Sequence, residues 1–355
     1  MAVSTFDGCI YSLPFSFGAV HKMLKIDPIA GTAKQVGEDL RNFAGGATSW
    51  SWHGVVAGAD GCIYGMPHNA ASVLRYDPRT GKLSTLGKLG DSPKKYSNGV
   101  LGPAGRFIFG IPHSASRVLC IDTEKLTVQL IGQEFGGNDN WYGGGIGGDM
   151  CIYCIPQNHT HVLRIDPVTM TTSLFGPKLR PKVMAWHGGC AGLEGCVYGT
   201  PYATDRVLRI DPLSGTVSMV DKPVPKELCE KLAGAVVASD GNIWFLPHHL
   251  PAKMLRLKPP SVGHPALLAD LLRPEQHTLL REGLSDVRRY GLALVGELWR
   301  EAKSRDRDPA RVSRLLDIAA PVLPETILKS IREDGGRTAR VLLETILVCV
   351  KQVCC

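Results

Sequence analysis

A short segment of the sequence recurs six times, and this recurrence constrains the fold more than any other feature. The first copy is Asp7-Gly8-Cys9-Ile10-Tyr11-Ser12-Leu13-Pro14, and the last runs from Asp240 to Pro247. The closing prolines lie 53, 45, 44, 45 and 46 residues apart, at Pro14, Pro67, Pro112, Pro156, Pro201 and Pro247. A period of this length indicates the blades of a propeller or the turns of a solenoid.

A second block follows each proline and alternates apolar with polar residues, which predicts a strand. In the second copy it reads Val73-Leu74-Arg75-Tyr76-Asp77-Pro78. Its counterparts are Met23 to Pro28, Val118 to Asp122, Val162 to Pro167, Val207 to Pro212 and Met254 to Pro259. The pattern Asp-Pro-x-x-Gly, as at Asp77 to Gly81, predicts a tight hairpin because proline presets φ and glycine accepts a positive φ.

Small residues precede each Asp-Gly and predict an innermost strand A, packed around a narrow channel and followed by strands B, C and D. These segments are Gly54 to Ala57, Gly99 to Leu101, Gly143 to Ile146, Gly188 to Ala191 and Gly234 to Val237. We therefore expect an all-β propeller of six four-stranded blades over residues 1–260. Met1 to Ser4 would supply the first inner strand. The last copy shows no obvious strand D, and the sequence leaves an irregular seventh blade open.

The run Asp240-Gly241-Asn242-Ile243-Trp244-Phe245 is similar to the blades of NHL-type and virginiamycin-B-lyase-like propellers. The Gly-Gly pairs at 143–144 and 188–189 resemble kelch blades, although they stand in strand A and lack the spaced Tyr and Trp of that family. The resemblance covers residues 1–260 and implies an architecture only. No catalytic residue is carried over from it.

Residues 261–355 have a different composition, dominated by Leu, Arg and Glu. Leu280, Leu284, Val287 and Leu294 fit a helical spacing, and Thr338 to Val353 behaves similarly, so we expect a small α-helical C-terminal region. It would pack on the propeller or dock a second partner. The final Cys354-Cys355 resembles the prenylated ends of Rab-type GTPases, but the sequence does not decide whether these cysteines carry lipid.

Charge and targeting signals favour a cytoplasmic protein that does not bind nucleic acid. The formal net charge is +7, and residues 261–355 contribute 15 Lys/Arg against 13 Asp/Glu, a difference of +2. Neither region therefore has a strongly basic balance. The N-terminal residues show no secretory pattern and no long apolar run occurs anywhere in the sequence, so a membrane partner is not expected. Cys9, Cys62, Cys151 and Cys196 recur at one repeat position and are interpreted as reduced core residues.

Propeller connectivity places the D–A and B–C loops on one face, and these loops carry the variable residues. They should form a mouth lined by aromatic, imidazole and amide groups with almost no carboxylate, suited to a peptide, protein or glycan. The predicted ligand-binding residues are Trp52, His53, His68, Asn98, His113, Trp141, Tyr142, Trp186, His187, Tyr202 and His248. In a competing structural interpretation, the Pro-His pairs at 67–68, 112–113 and 247–248 turn the chain and bond an imidazole to backbone.

Two functions remain open at this stage. The first is a non-enzymatic binding or scaffold protein that uses this face and needs no cofactor. The alternative is a metal-assisted hydrolase or lyase in which Asn98, His53 and His187 converge at the channel mouth. No serine or cysteine has a recognisable nucleophile context, and Cys151-x-x-Cys154 lies in a predicted strand whose thiols should face the core.

Overall fold

The computed structural model describes residues 2–4, 7–14, 21–47, 49–103, 105–179, 183–192, 195–228, 230, 232–238, 241–248 and 254–259. The predicted helical region 261–355, with Cys354 and Cys355, lies outside the described residues. Within the described chain the only helices are two short 3-10 turns, Leu40–Asn42 and Lys226–Leu228.

The strands follow the repeat, and their bounds in the first three copies are β1 Ala2–Ser4, β2 Ile10–Ser12, β3 Met23–Asp27, β4 Thr32–Val36, β5 Trp52–Ala57, β6 Ile63–Pro67, β7 Val73–Asp77, β8 Lys82–Leu86, β9 Tyr96–Leu101, β10 Phe107–Pro112, β11 Val118–Asp122 and β12 Thr127–Ile131. In the last three copies they are β13 Trp141–Ile146, β14 Ile152–Pro156, β15 Val162–Asp166, β16 Thr171–Phe175, β17 Trp186–Ala191, β18 Val197–Pro201, β19 Leu208–Asp211, β20 Thr216–Met219, β21 Leu232–Val237, β22 Ile243–Pro247 and β23 Leu255–Leu257.

These strands form six antiparallel sheets, one for each copy of the repeat. Five sheets have four strands in chain order, and the sixth has three described strands. The inner strands of consecutive sheets contact one another, from β1 on β5 through to β17 on β21. The fold is therefore a six-bladed β-propeller, as the repeat predicts. Strand β1 pairs with β2, which confirms the expected inner strand of the first blade.

The Asp-Gly turn between strands A and B is built by one carboxylate. Asp60 Oδ1 accepts from the backbone N–H of Cys62 at 3.1 Å, and Oδ2 accepts from the Tyr64 hydroxyl at 2.9 Å. Asp149 makes the same two bonds with Cys151 and Tyr153. The aspartate therefore both closes the turn and supplies a partner for a buried phenol, which explains why the two residues recur together.

The turn between strands C and D requires a left-handed residue at its fifth position. Gly31, Gly81 and Gly215 take it with φ of 63°, 72° and 70°, which confirms the expected role of glycine. Leu126 and Met170 occupy the same position in the third and fourth blades, with φ of 54° and 56°. Because a Cβ disfavours this conformation, these two turns hold strained residues that the sequence pattern does not reveal.

Apolar side chains from neighbouring sheets form the core between blades. Five clusters each join two consecutive sheets, and the interface of the second and third contains Tyr64, Met66, Val73, Ile108 and Leu119. Strands alternate their side chains between two faces, so the central strands of the second to fifth sheets are covered on both sides. This explains why strand B residues such as those of β6 and β14 are buried along their whole length.

A relay of eight backbone hydrogen bonds ties the blades together at one end of the propeller. The N–H of His68 donates to the Ser51 carbonyl, and its own carbonyl accepts from Lys95 N–H. The relay continues to the fifth blade, with N···O distances of 2.7–3.1 Å, through His113, Asn140, Gln157, Ala185, Tyr202 and Glu230. It alternates between the B–C and D–A loops, so it confirms that these loops share one face.

Replacing Leu126 by glycine should stabilise the protein by about 0.5–1 kcal/mol. The left-handed conformation costs a leucine roughly 1–2 kcal/mol, and the greater freedom of glycine in the unfolded chain offsets part of the gain. Little packing is lost because Leu126 is 41% exposed. Urea denaturation measures the change. Gly81→Leu, the reverse substitution in the second blade, should destabilise, and equal stability of both variants with wild type would contradict the explanation.

Candidate functional site

A β-bulge opens strand A in the second to sixth blades. In the second blade, Trp52 pairs with Pro67 but the next partners are Val55 and Gly65, so the register shifts between them. The residue at the bulge has a positive φ in every case, at Gly54, Asn98, Gly143, Gly188 and Gly234. Asn98 is the one non-glycine among these five. Such bulges re-aim the side chains beside them.

The residue at the start of each bulged strand therefore enters the core. Trp52, Trp141 and Trp186 are buried between blades, and the indole Nε1–H of each donates at 2.9 Å to the carbonyl of Ser72, His161 and Arg206 respectively. This corrects the expectation that the three tryptophans line an accessible mouth. Each indole instead joins strand A to the B–C loop of its own blade.

Neighbouring bulges approach too closely for most side chains. A Cβ added to Gly54 would lie 2.5 Å from Asn98 Cα, and one added to Gly188 would lie 3.1 Å from Gly234 Cα. The partly exposed Asn98 brings its carboxamide into this ring, beside Gly54 and Gly143. The structure thus places the predicted Asn98 at the channel, next to the residues described below.

Seven predicted residues come together above the bulges, and we call them the mouth cluster. Their ring centroids lie 3.8–6.0 Å apart, the closest being the stacked pair Tyr142 and His187. The cluster combines second residues of strand A with residues that follow the strand B prolines. Its members are His53, His68, His113, Tyr142, His187, Tyr202 and His248.

Hydrogen bonds fix the cluster on its buried side. His68 Nδ1 donates to the Tyr96 carbonyl at 2.9 Å, as the structural interpretation of the Pro-His pairs expects. His113 differs, because its Nε2 lies 2.8 Å from the Gln157 side-chain oxygen. The Tyr142 hydroxyl lies 3.1 Å from His53 Nε2 and links the second blade to the fourth across the channel. These side chains form a preorganised floor.

Burial favours the neutral form of His53, His68 and His187, because it lowers the pKa of each imidazole. It lowers the pKa of His53 to about 3, and repulsion from His68 and His113 acts in the same direction. Burial likewise lowers the pKa of His68 to about 4 and that of His187 to about 4. The pKa of the Tyr142 hydroxyl is raised by burial. At neutral pH these imidazoles and the Tyr142 hydroxyl therefore offer hydrogen-bond donors and acceptors without charge.

Accessibility within the cluster is uneven. His53, His68, His113 and Tyr142 are buried, so they shape the floor. On the side of the fifth and sixth blades, His187 and Tyr202 are half-buried and His248 is exposed. A ligand that approaches along the channel axis would therefore meet these three side chains first.

Five further residues surround the cluster, and the sequence analysis missed them. We call Trp50, Lys94, Asp139, Met184 and Glu230 the rim residues; each lies two residues before a bulged strand and has φ between 51° and 60°. Asp139 Oδ1 lies 3.2 Å from His113 Nδ1 and 3.3 Å from Lys94 Nζ. The expectation of a nearly carboxylate-free mouth is thus wrong at this point. Counting back two residues from each strand A would have found the set.

Hydrogen bonds hold the rim residues in their strained conformation. Lys94 N–H donates to Asn69 Oδ1 at 3.0 Å and its carbonyl accepts from Ser114 N–H at 2.9 Å. Met184 N–H donates to Asn158 Oδ1 at 2.7 Å. Two net-favourable hydrogen bonds, each worth about 0.5–1.5 kcal/mol, offset the cost of a left-handed residue. The side chain at the rim position can therefore differ between blades while the backbone conformation stays the same.

Trp50 is the rim residue whose ring packs against the mouth cluster. Its ring lies 5.3 Å from that of His53 and 5.8 Å from that of His68, and 39% of the residue remains exposed. It therefore covers the buried imidazoles while presenting an aromatic surface to solvent. Met184 is 36% exposed on the opposite part of the rim, beside the still more exposed Val183.

The described residues hold no group of three or more His, Cys, Asp or Glu side chains placed to bind a metal ion. Cys151 and Cys154 are free and buried, in the clusters on opposite sides of the fourth blade. Burial raises the pKa of both thiols. Both cysteines thus occupy the expected core positions. No helix among the described residues is long and apolar enough to span a membrane.

Comparisons with known proteins agree on the fold. No protein-family model and no curated protein matches the sequence. Among solved structures, a virginiamycin B lyase from Staphylococcus aureus is similar, with a TM-score of 0.58, 14% identity, and coverage of 72% of this chain and 80% of the lyase. A catalytically inactive variant of that lyase, solved with quinupristin, gives a TM-score of 0.58 at 14% identity over 73% and 80% of the two chains.

A regucalcin from Agrobacterium tumefaciens, described as calcium-binding, gives a TM-score of 0.47 at 12% identity over 71% of this chain and 84% of its own. At 14% identity the likeness to the lyase shows the propeller fold alone, and function has to be argued from the site.

Stability should fall as the pH falls from 6.5 towards 4. Because the pKa values of His53, His68 and His187 are lowered in the folded protein, the unfolded chain binds protons at a higher pH than the folded one. The contribution of these neutral histidines to the free energy of unfolding is therefore fully present above pH 6.5 and is lost below it. The loss is at most about 1.4 kcal/mol per pH unit for each such histidine. Urea denaturation between pH 7 and pH 5 measures the slope. His53→Gln should flatten it, and an unchanged slope in this variant would show that His53 is not held neutral.

Proposed function

We propose that the protein is a non-enzymatic binding module whose mouth cluster and rim residues grip a peptide segment of a partner protein. The main support is the mouth cluster, whose four buried rings form a floor beside the exposed Trp50 and Met184. Aromatic residues and methionine are enriched at protein interfaces, where they supply apolar contact with few rotatable bonds. The rigid rim lowers the entropic cost of association.

The polar part of the site supports the same function. His187, Tyr202 and His248 offer hydrogen-bonding groups on the accessible side of the cluster. Neutral imidazole both donates and accepts, so it matches the amide groups of a peptide. Lys94 and Asp139 neutralise each other across the rim at 3.3 Å, which leaves no dominant charge on this side of the mouth. The site thus favours a ligand of mixed apolar and amide character.

A glycan is the other ligand class that the sequence suggests. Glycan recognition would draw on the same aromatic and hydrogen-bonding groups, but it does not explain the exposed Met184 and Val183. The alternative of a metal-assisted hydrolase or lyase has no specific support in the described residues. The lyase comparison does not add to it, because that likeness concerns the fold.

Trp50→Ala should weaken binding of peptides selected by the wild-type protein from a displayed random library by tenfold or more, or about 1.4 kcal/mol. Isothermal calorimetry with the synthetic peptide measures the change. Tyr202→Ala tests the other side of the mouth and should also weaken binding.

Ile29→Ala is the matched control, because Ile29 is 94% exposed in a C–D turn on the opposite face. Its affinity should equal that of wild type. A glycan array run in parallel distinguishes the second ligand class. Peptides that bind all three variants equally, or specific binding to glycans alone, would overturn the proposal.

A further inference from the structure

Each of the first five sheets buries one face against the sheet that follows it, and we call this its forward face. In the second sheet the forward face carries Tyr64, Met66 and Val73, all 0% exposed. The equivalents in the four other sheets are also buried, namely Tyr11, Leu13, Met23, Phe109, Ile111, Val118, Tyr153, Ile155, Val162, Tyr198, Thr200 and Val207.

The forward face of the sixth sheet is exposed instead. Leu246 is 36% exposed and Met254 is 57% exposed, at the positions of Met66 and Val73. Val236 is 48% exposed, whereas its equivalent Val56 is 8% exposed. Val236 pairs directly with Trp244, so these residues form one continuous apolar surface across the three described strands. A soluble protein seldom leaves such a surface uncovered.

The first sheet is incompletely covered on its opposite face, which we call its rear face. Ile10, Leu24 and Ile26 are only half-buried there. Their equivalents in the second sheet, Ile63, Leu74 and Tyr76, are at most 3% exposed because the first sheet covers them. The forward face of the sixth sheet and the rear face of the first would have to meet to complete the ring. Among the described residues, both faces are more exposed than their equivalents in the other sheets.

We propose that residues 261–355 of this chain pack against the forward face of the sixth sheet and the rear face of the first, and so complete the ring. The last described residue, Pro259, follows β23 by two residues, so this segment starts at the edge of the exposed face. A short tether gives it a high effective concentration there. The proposal is independent of the peptide-binding function.

The sequence of the segment fits this role. It holds apolar runs such as Val341-Leu342-Leu343 and Ile346-Leu347-Val348 within a stretch spaced as an amphipathic helix. A single-faced helix has to bury its apolar side, and a sheet face is a standard partner for it. The outer edge of β23 pairs with no described strand, whereas the five other C strands each pair with a strand D. The segment would also shield this edge.

Photo-crosslinking in the full chain tests the proposal. The photoreactive amino acid benzoylphenylalanine replaces Met254, the purified protein is irradiated, and mass spectrometry maps the linked peptides. We expect crosslinks within one molecule to peptides of residues 261–355. The same amino acid at Leu213, which is 62% exposed in a C–D turn, is the matched control and should give no such crosslink.

A second variant gives an independent readout. Leu246→Asp places a charge on the forward face and should release the segment, seen as loss of protection from limited proteolysis within residues 261–355, while Leu213→Asp leaves the cleavage pattern unchanged. Crosslinks from position 254 to residues 2–36 alone, or to a second copy of the chain, would overturn the proposal. Failure to crosslink any peptide would also overturn it, since the face would then be open to solvent.

Discussion

The backbone relay that runs from Ser51 to Glu230 is the interaction on which the rest of the structure depends. It pairs backbone N–H and C=O groups of the B–C and D–A loops with one another. In this way it joins the B–C loop of one blade to the D–A loops on either side. Each link is worth only about 0.5–1.5 kcal/mol net, but the links are contiguous, so a displacement of one loop disturbs the next. The rim residues accept left-handed backbone because the relay and its side-chain partners over-determine their position.

The relay also allows the backbone and the side chain of one residue to have different roles, the backbone in the fold and the side chain at the mouth. In the second to fifth blades, the residue after the strand B proline contributes its backbone to the relay and its side chain to the mouth cluster or, for Gln157, to a hydrogen bond with His113. His68, His113, Gln157 and Tyr202 are therefore interchangeable as backbone while they differ in chemistry. The same holds for the rim, where an exposed Trp50 and a charged Asp139 occupy equivalent positions. A binding surface can thus be varied without changing the fold that supports it.

Packing energy is distributed unevenly around the ring. Five interfaces bury an aromatic residue of strand B, such as Tyr64 or Tyr153, between two sheets. The corresponding Trp244 of the sixth sheet is half-buried, with the Arg256 guanidinium 5.8 Å from its ring. The first and sixth sheets each have a described neighbouring sheet on one side only, so their outer faces cannot be buried in the way that those of the internal sheets are.

The sequence alone determined the six sheets, their strand order and the shared face of the D–A and B–C loops, because turn residues and alternating apolar residues act locally and repeat with the chain. It did not determine which side of strand A faces the core. One bulge residue, such as Gly54 or Asn98, shifts the alternation by one position, so Trp52 enters the core while His53 reaches the mouth. The lowered pKa of the buried imidazoles, the carboxylate beside His113 and the exposure of Met254 were likewise decided by tertiary structure. Each depends on which neighbouring blade covers the residue, and that neighbour lies tens of positions away in the chain.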